Sequence, residues 1–499
     1  CIDISTKRPY TKDTSKSELN EREEIAQMTR VEEIKKIVEG KKDVLVNLND
    51  EIWATPELYF REEKSAAALI RVLKEQGFEV EENVDGISTA FIGTYGSGHP
   101  IIGILGEFDA LPSLSQEACK NVHSPIEAGG PGHGCGHCAL GAAALGAAIA
   151  AKDYMQAHGI KGTVRYYGCP AEEAGWGKMF LARDGYYDDL DACYTWHPGN
   201  CNTVQSASSL ANMCAYFTFK GKTAHAAAAP HLGRSALDAC EIMNVGVNYL
   251  REHVIAEARI HYAYQDVGGP APNVVQDHAQ TKYFIRAPKI KQVLEIAERI
   301  KDIARGAALI TGTTVEMDFP AGMCDYVPND VLSGVLSDAF LAVGGPEFDD
   351  ADRALAESFY KDLNDNEKEA ALKRLAPNYP DPDKYRGVAL IEDVAPYVKS
   401  DSYGFGSTDV GDASYACPTA QLNAACYANG TPGHSWQITA QSASSITHKA
   451  ILCVAKVIAL ATINSLEDPE MLKKAHEEYV KVTGGKYICP VGKDAKPRI

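Results

Sequence analysis

The pattern of apolar and polar positions divides the chain into two kinds of region. In residues 28–209, and again in residues 321–499, short apolar runs bounded by glycines alternate with stretches of helical apolar spacing. Such alternation is typical of an α/β fold, in which helices cover a largely parallel sheet. Three of the runs predict buried strands: Ile101–Glu107, Thr163–Cys169 and Asp191–His197.

A different order of elements separates these two regions. Residues 210–320 have the pattern of strand, helix, strand, strand, helix and strand, which is the order of a ferredoxin-like α+β unit. We therefore expect a separate domain here, inserted into the α/β domain, with Ala211–Lys220 as an exposed edge strand. A second insertion, Gly345–Ser400, is charged and helical, and its pattern indicates no chemistry.

Composition excludes several classes of protein. The 499 residues are more than one hydrophobic core usually supports, which agrees with two domains. A formal net charge of -18 without a cluster of Lys or Arg disfavours a nucleic-acid partner. No apolar run approaches 18 residues, so we expect no transmembrane span, and the 14 scattered cysteines are expected to be mostly free thiols.

The first 27 residues are polar and begin with Cys1. A terminal cysteine followed by a polar tether is how a mature bacterial lipoprotein begins. We therefore expect residues 1–27 to be a tether with a lipid anchor at Cys1, and we favour a membrane-anchored lipoprotein over a cytoplasmic protein.

The densest cluster of reactive side chains is the turn Gly132–Cys138, GHGCGHC, which runs into a helix of small residues. Thiolate and imidazole are preferred zinc ligands, and the glycines allow both to approach one point. Cys135 and Cys138 also form a CxxC pair, which is found in thiol-disulfide exchange proteins. A third interpretation is a buried turn with inert thiols, and the turn alone does not distinguish the three.

Acidic and imidazole side chains follow each of the three predicted strands. Glu107 and Asp109 end the first, Glu172 and Glu173 follow the second, and His197 ends the third. Two adjacent carboxylates at the end of a buried strand repel each other unless a cation neutralises one of them. This arrangement indicates one metal ligand and one free general base.

Nine motifs in order resemble the aminoacylase and carboxypeptidase G superfamily of dinuclear metallo-amidohydrolases, and they cover nearly the whole chain. They are WATPEL, GEFDALP, GHGCGH, CPAEEAG, WHPG, GKTAHAAAAPHLG, GGPAPNVV, GSTDVGD and GTPGHSW. GHGCGH together with GEFDALP resembles the aminobenzoyl-glutamate branch. The resemblance implies a zinc-peptidase-like α/β catalytic domain, residues 28–209 and 321–499, and an inserted ferredoxin-like lid and dimerisation domain, residues 210–320.

The resemblance also implies roles for individual residues. Five residues match metal ligands: Cys135, His137, Glu173, His197 and His434. Glu172 matches the general base and Asp109 the group that orients a ligand, whereas Glu107 stands where other branches carry a ligand. His225, Asn273 and Arg286 match lid residues that contact substrate, with His225 at the oxyanion and Arg286 at a carboxylate.

These roles imply a metal-dependent hydrolase that cleaves the amide bond of N-acyl amino acids or dipeptides. Two divalent ions per chain are expected, zinc or manganese, with cobalt possible. The favoured small-molecule substrate is p-aminobenzoyl-glutamate, and a β-alanyl or other dipeptidase is the alternative enzyme. A thiol-disulfide exchange protein using Cys135 and Cys138, and a non-catalytic metal-binding relative, are the alternatives of another class. We further expect a homodimer through the lid domain, in which His225 acts at the neighbour's site.

Overall fold

The computed structural model describes residues 28–498, so the predicted tether and Cys1 lie outside the described residues. The first helix, α1, occupies residues 28–39, and the part of its predicted range that begins at Glu21 also lies outside them. The other helices around the first sheet are α2 Lys42–Ala54, α3 Glu63–Glu75, α4 His137–His158, α5 Gly177–Arg183, α8 Asp330–Val343, α9 Asp350–Tyr360, α10 Asp365–Leu375, α11 Val410–Ala416, α12 Trp436–Gln441, α13 Ser445–Glu467 and α14 Pro469–Thr483.

The first sheet is mixed and carries the predicted strand ends. Its seven strands are β1 Glu79–Glu82, β2 Phe91–Ser97, β3 Ile101–Glu107, β4 Gly162–Cys169, β5 Ala192–Gly199, β6 Thr203–Val204 and β11 Thr419–Ala425, in the spatial order β1-β2-β4-β3-β5-β11-β6. The four central strands are parallel. Because parallel strands bring their carboxyl ends to one edge, the ends of β3, β4 and β5 lie side by side.

Two helices made of small and apolar residues form the centre of the core. The α4 side chains from Cys138 to Ala151 are all buried, and α4 packs against α13. A Cβ on Gly141 would lie 2.7 Å from the Glu107 carbonyl oxygen, so the small residues allow α4 to lie directly on β3. Of the described helices, α13 alone is long and apolar enough to cross a membrane, but 83% of its apolar window is buried, as expected of a core helix.

The second sheet has the predicted ferredoxin-like arrangement. Its strands are β7 Ala211–Lys220, β8 Arg259–Asp266, β9 His278–Ala287 and β10 Thr314–Met323, with helices α6 Ala236–Leu250 and α7 Ile290–Thr311. The spatial order is β10-β7-β9-β8. The prediction that Ala211–Lys220 is an edge strand is wrong, because β7 pairs with β10 on one side and β9 on the other. Local pattern fixes a strand but not its place in the sheet.

The second insertion is attached to the edge where β5 and β11 end. The hydroxyl of Tyr379 accepts a hydrogen bond from the backbone N–H of Asn202 at 3.1 Å. The Asn202 side chain is buried, donates to the carbonyl oxygen of Ile391 at 3.0 Å and accepts from the N–H of Ala425 at 2.9 Å. The insertion therefore lies over the carboxyl edge of the first sheet.

Candidate active site

The glycine-rich turn places Cys135 and His137 on either side of Gly136. Gly136 has φ +81°, and a Cβ there would lie 1.8 Å from the hydroxyl oxygen of Tyr427, so only glycine fits. Cys135 precedes the turn residue and His137 is the first residue of α4. Cys138 is fully buried in the core and is a free thiol.

The surroundings of Cys138 do not support thiol-disulfide exchange. Burial raises the pKa of Cys138 to about 12, whereas exchange proteins lower the pKa of a reactive cysteine. Burial also raises the pKa of Cys135. The alternative based on CGHC therefore has no support.

Cys135, His137 and His197 form a first group whose donor atoms lie within 4.8 Å of one another. The Cys135 Sγ and His197 Nε2 atoms are 3.3 Å apart. The opposite nitrogen of each imidazole is occupied: Nδ1 of His197 donates to the Pro198 carbonyl at 2.8 Å, and Nδ1 of His137 donates to Asp109 Oδ1 at 2.8 Å. The Nε2 atom of each ring is therefore left for a ligand.

Cys135, Glu173 and His434 form a second group of the same kind. Glu173 Oε2 lies 3.4 Å from His434 Nε2, and the Glu173 backbone N–H donates to Asp109 Oδ2 at 2.9 Å. One carboxylate, Asp109, thus positions residues of both groups. His434 does not end a strand as the sequence pattern suggested, but lies in the loop that follows β11, which ends at Ala425, and has φ +49°.

This donor set fits divalent cations. Three buried polar atoms in or beside the two groups have no hydrogen-bond partner among the described residues: Glu107 Oε2, His137 Nε2 and Glu173 Oε1. His137 Nε2 lies 3.3 Å from Glu107 Oε2 and 3.9 Å from Glu173 Oε1. Buried polar atoms without partners are costly, and a cation that accepts thiolate, imidazole and carboxylate ligands would satisfy them.

A buried lysine that the sequence analysis missed lies beside these groups. Lys178 is fully buried at the start of α5, and its Nζ is 2.6 Å from both Glu107 Oε1 and Asp409 Oδ1. Asp409 also accepts from the Lys178 backbone N–H at 2.9 Å. Despite burial, which opposes the charge, Asp409 and Glu107 hold the pKa of Lys178 well above its usual range. The lysine therefore balances two carboxylates that would otherwise be buried without a counter-charge.

Glu172 and His197 have altered pKa values because the site is enclosed. Burial, together with the negative charges of Glu107, Glu173 and Asp409, raises the pKa of Glu172 well above its ordinary value. Burial and the nearby His137 lower the pKa of His197 to about 4, so its imidazole is neutral and suited to bind a metal.

A cavity of about 430 Å³ opens onto these groups. Its lining includes four of the five candidate ligands and Glu172, together with polar residues from the carboxyl edge of the first sheet. Arg374, from α10 of the second insertion, is the one Arg or Lys among the described lining residues. The second insertion, whose pattern indicated no chemistry, therefore contributes a side chain to this cavity.

The three predicted lid residues lie in two places. Arg286, on β9, donates from Nη1 to the Ser407 hydroxyl at 3.0 Å, and Ser407 lines the cavity. His225 and Asn273 lie on two paired loops, joined by a hydrogen bond from the Ala226 N–H to the Asn273 carbonyl at 3.0 Å. Both are exposed, and neither lines the cavity formed by the described residues.

Two groups of metal-binding side chains that share one cysteine lie beside a carboxylate in an open cavity, and this arrangement is typical of metal-dependent hydrolases. Comparison with known proteins gives the family. The profile of peptidase family M20/M25/M40 matches residues 103–484, and the chain belongs to this family.

Two relatives and two solved structures illustrate the similarity. A subunit of p-aminobenzoyl-glutamate hydrolase from Escherichia coli (strain K12) is 42% identical over 466 residues, 92% of this chain and 97% of that protein. The Xaa-Arg dipeptidase of Mus musculus is 29% identical over 57% of this chain and 65% of that protein.

The solved structures share the fold at low sequence identity. The aminobenzoyl-glutamate utilization protein from Klebsiella pneumoniae matches with a TM-score of 0.58 and 15% identity, covering 85% of this chain and 98% of that chain. A dinuclear metal-binding peptidase of the M20 family from Bacillus subtilis matches with a TM-score of 0.56 and 17% identity, covering 86% and 99%.

Proposed function

We propose that this protein hydrolyses the amide bond of p-aminobenzoyl-glutamate, releasing p-aminobenzoate and glutamate. The observation that carries the proposal is the 42% identity to a p-aminobenzoyl-glutamate hydrolase chain over nearly the full length of both proteins. Other N-acyl amino acids are secondary substrates. A dipeptidase of the Xaa-Arg type fits less well, because the relative of that type is 29% identical over 57% of this chain.

Two divalent ions would be held by the two donor groups. Cys135, His137 and His197 would bind one ion, and Cys135, Glu173 and His434 the other. The thiolate favours zinc, while the nitrogen and oxygen ligands also suit manganese or cobalt. When bound, such ions polarise the scissile carbonyl and lower the pKa of water.

The protein's own groups then move the proton and position the substrate. Glu172 lines the cavity beside the ligand Glu173, where it takes the proton of the attacking water and returns it to the leaving amine. His225 accepts the Ala228 N–H at its Nδ1 atom at 3.2 Å, so its Nε2 atom carries the proton that would be donated to the oxyanion. Arg286 binds a substrate carboxylate.

His225 would reach the site from a neighbouring chain in a homodimer formed through the lid domain. Supporting this assembly, β8 has one free edge and exposes two tyrosines, Tyr262 at 39% and Tyr264 at 37%. Pairing of β8 with its copy would extend the sheet across a two-fold axis. The edge that mediates dimerisation is therefore β8 and not β7.

The test is hydrolysis by the purified protein loaded separately with zinc, manganese or cobalt. Chromatography would follow release of p-aminobenzoate and glutamate, with β-alanyl and arginyl dipeptides as competitors and metal content measured by emission spectrometry. We expect about two metal equivalents per chain, one for each of the two groups that contain Cys135, and loss of activity after chelation. Turnover of the dipeptides alone would contradict the substrate, and turnover unaffected by chelation would contradict the mechanism.

A further inference from the structure

Arg374 has an unusual position for an arginine of the second insertion. It lines the same cavity as Glu172, Glu173 and His434. Two other arginines of the insertion are paired with carboxylates: Arg353 with Glu392 at 2.8 Å and Arg386 with Asp383 at 2.7 Å. Arg374 has no hydrogen bond or ion pair with any described residue, so its guanidinium is available to a ligand in the cavity.

The insertion holds the helix that carries Arg374 in a defined place. Leu372 and Leu375 of α10 are buried in a small core with Tyr379, Tyr385 and Ile391. The hydroxyl of Tyr379 also donates to the carbonyl oxygen of Asp393 at 3.0 Å. Because Tyr379 and Ile391 are hydrogen-bonded to Asn202, this core is attached three residues beyond β5, the strand that delivers His197. The exposed side of α10 is thereby directed over the cavity.

The charge of the cavity explains why a cation is needed there. Glu172 and Glu173 line it, and Asp109, Glu107 and Asp409 lie behind them. Lys178 balances Glu107 and Asp409, and the candidate metal ions would balance their own ligands, so an anionic substrate still needs further cations that face its carboxylates. Two guanidiniums meet this need: Arg286, bonded to Ser407 at the cavity wall, and Arg374 from the insertion.

We propose that Arg374 binds the side-chain carboxylate of the amino acid that the enzyme releases, while Arg286 binds its α-carboxylate. The enzyme is thus selective for N-acyl derivatives of acidic amino acids, with glutamate as the best fit to the proposed substrate. This assignment rests on the proposed amide hydrolysis. It gives the second insertion a function, because α10 supplies a specificity-determining group that the sheet and the lid do not.

The test compares two substrates that differ in one charged group. N-(4-aminobenzoyl)-glutamate and N-(4-aminobenzoyl)-glutamine are nearly equal in shape, and the amide of the second cannot form a charged pair with a guanidinium. We expect wild-type kcat/KM to favour the glutamate compound by about 10- to 100-fold, the value of a hydrogen-bonded charge pair. Arg374→Gln should remove this preference by lowering kcat/KM for the glutamate compound alone, and Arg374→Lys should restore part of it.

Lys373→Gln is the matched control, since Lys373 is the exposed neighbour on α10 and does not line the cavity. It should leave both values of kcat/KM unchanged. An equal decrease on both substrates in Arg374→Gln, or a wild type that does not distinguish them, would overturn the assignment while leaving the amidohydrolase function intact.

A binding measurement separates the inference from the proposed function. Calorimetry of glutarate binding to the zinc-loaded wild type and to Arg374→Gln does not require turnover. Weaker binding to the variant supports the assignment even if no amide is hydrolysed, in which case only the proposed function fails. Equal binding to both proteins contradicts the assignment whatever the enzyme hydrolyses.

Discussion

Two regions of the molecule hold their polar side chains in opposite ways. One is the strand-end cluster around Asp109, with His137, Glu172 and Glu173, and the other is the pair of lid loops that carry His225 and Asn273. In the cluster, His137 and Glu173 are both hydrogen-bonded to the buried carboxylate of Asp109. In the loops, His225 and Asn273 are exposed, and the loops are joined by backbone hydrogen bonds, one of which runs from the Ala226 N–H to the Asn273 carbonyl oxygen. The chain therefore fixes the groups around the candidate metal site in advance, whereas the loop groups can meet a substrate only when a second surface is brought to the cavity.

The largest effect is expected from removing the candidate general base, Glu172, from the strand-end cluster. Glu172→Gln keeps the shape of the side chain but cannot accept a proton, so we expect kcat to fall by about 10²–10⁴-fold. Metal content, measured by emission spectrometry, should stay at the wild-type value because Glu172 belongs to neither of the two groups that contain Cys135. Glu63→Gln, on the exposed first turn of α3, is the control and should keep full activity. Retention of activity by Glu172→Gln would show that another group moves the proton.

The second prediction concerns Lys178, which balances the charges of two buried carboxylates, Glu107 and Asp409. Lys178→Met leaves Glu107 and Asp409 buried without their cation, and breaking such a pair costs about 3–5 kcal/mol of unfolding free energy, measured in urea. Lys161→Met, at an exposed position, should change it by less than about 0.5 kcal/mol.

A compensating variant distinguishes lost charge from lost packing. Combining Lys178→Met with Glu107→Gln and Asp409→Asn removes all three charges, and we expect it to recover at least half of the lost stability. If the triple variant is no more stable than Lys178→Met, the lysine acts through packing rather than through its charge.

The same comparison shows what the sequence could predict. β3 has the predicted bounds, and β4 and β5 differ from theirs by one or two residues, because a buried strand and the polar residues after it are local features. The strand ends account for the positions of Glu173 and His197, whereas Cys135, His137 and His434 were assigned as ligands through the family resemblance, and the structure brings all five into two groups. Asp109 was also found, since it follows a buried strand within two residues.

Residues whose role depends on distant partners were missed. Lys178 lies in the mostly apolar segment Gly177–Arg183, in which nothing shows that the lysine is paired in the interior, and its partner Asp409 is 231 positions away. Arg374 gave no signal either, because nothing near it in the chain shows that α10 lies over the cavity. The place of β7 inside its sheet was missed for the same reason, since pairing with β9 and β10 is set by long-range packing.

The third prediction asks whether the exposed loop works in its own chain or in a neighbour. His225→Ala should lower kcat by about 10²–10³-fold through loss of an oxyanion donor. Glu172→Ala and His225→Ala chains, mixed under conditions that exchange subunits, should regain activity, because a mixed dimer holds one complete site. Exchange can be checked with differently tagged chains. Proven exchange without recovery would place His225 in the site of its own chain.

The smallest effect is expected from Cys138→Ala, which we compare with a substitution of Cys135, the other cysteine of CGHC. Cys138 is buried among apolar side chains of the core, so Cys138→Ala removes only a small volume and should cost about 1 kcal/mol of unfolding free energy. Its activity should stay within about 2-fold of wild type, because the core encloses this thiol and keeps it away from the substrate. Cys135→Ser, by contrast, removes the donor shared by both groups and should lose metal and activity together.

This pair of variants also tests the interpretation of the turn. A thiol-disulfide exchange protein needs both cysteines, so it predicts equal damage from both substitutions and insulin reduction that survives chelation. The structure gives the two thiols different surroundings: Cys135 faces His197, whereas Cys138 is enclosed by the core. Metal binding predicts that activity is lost in Cys135→Ser and kept in Cys138→Ala, because only the Cys135 thiol can reach the other candidate metal ligands.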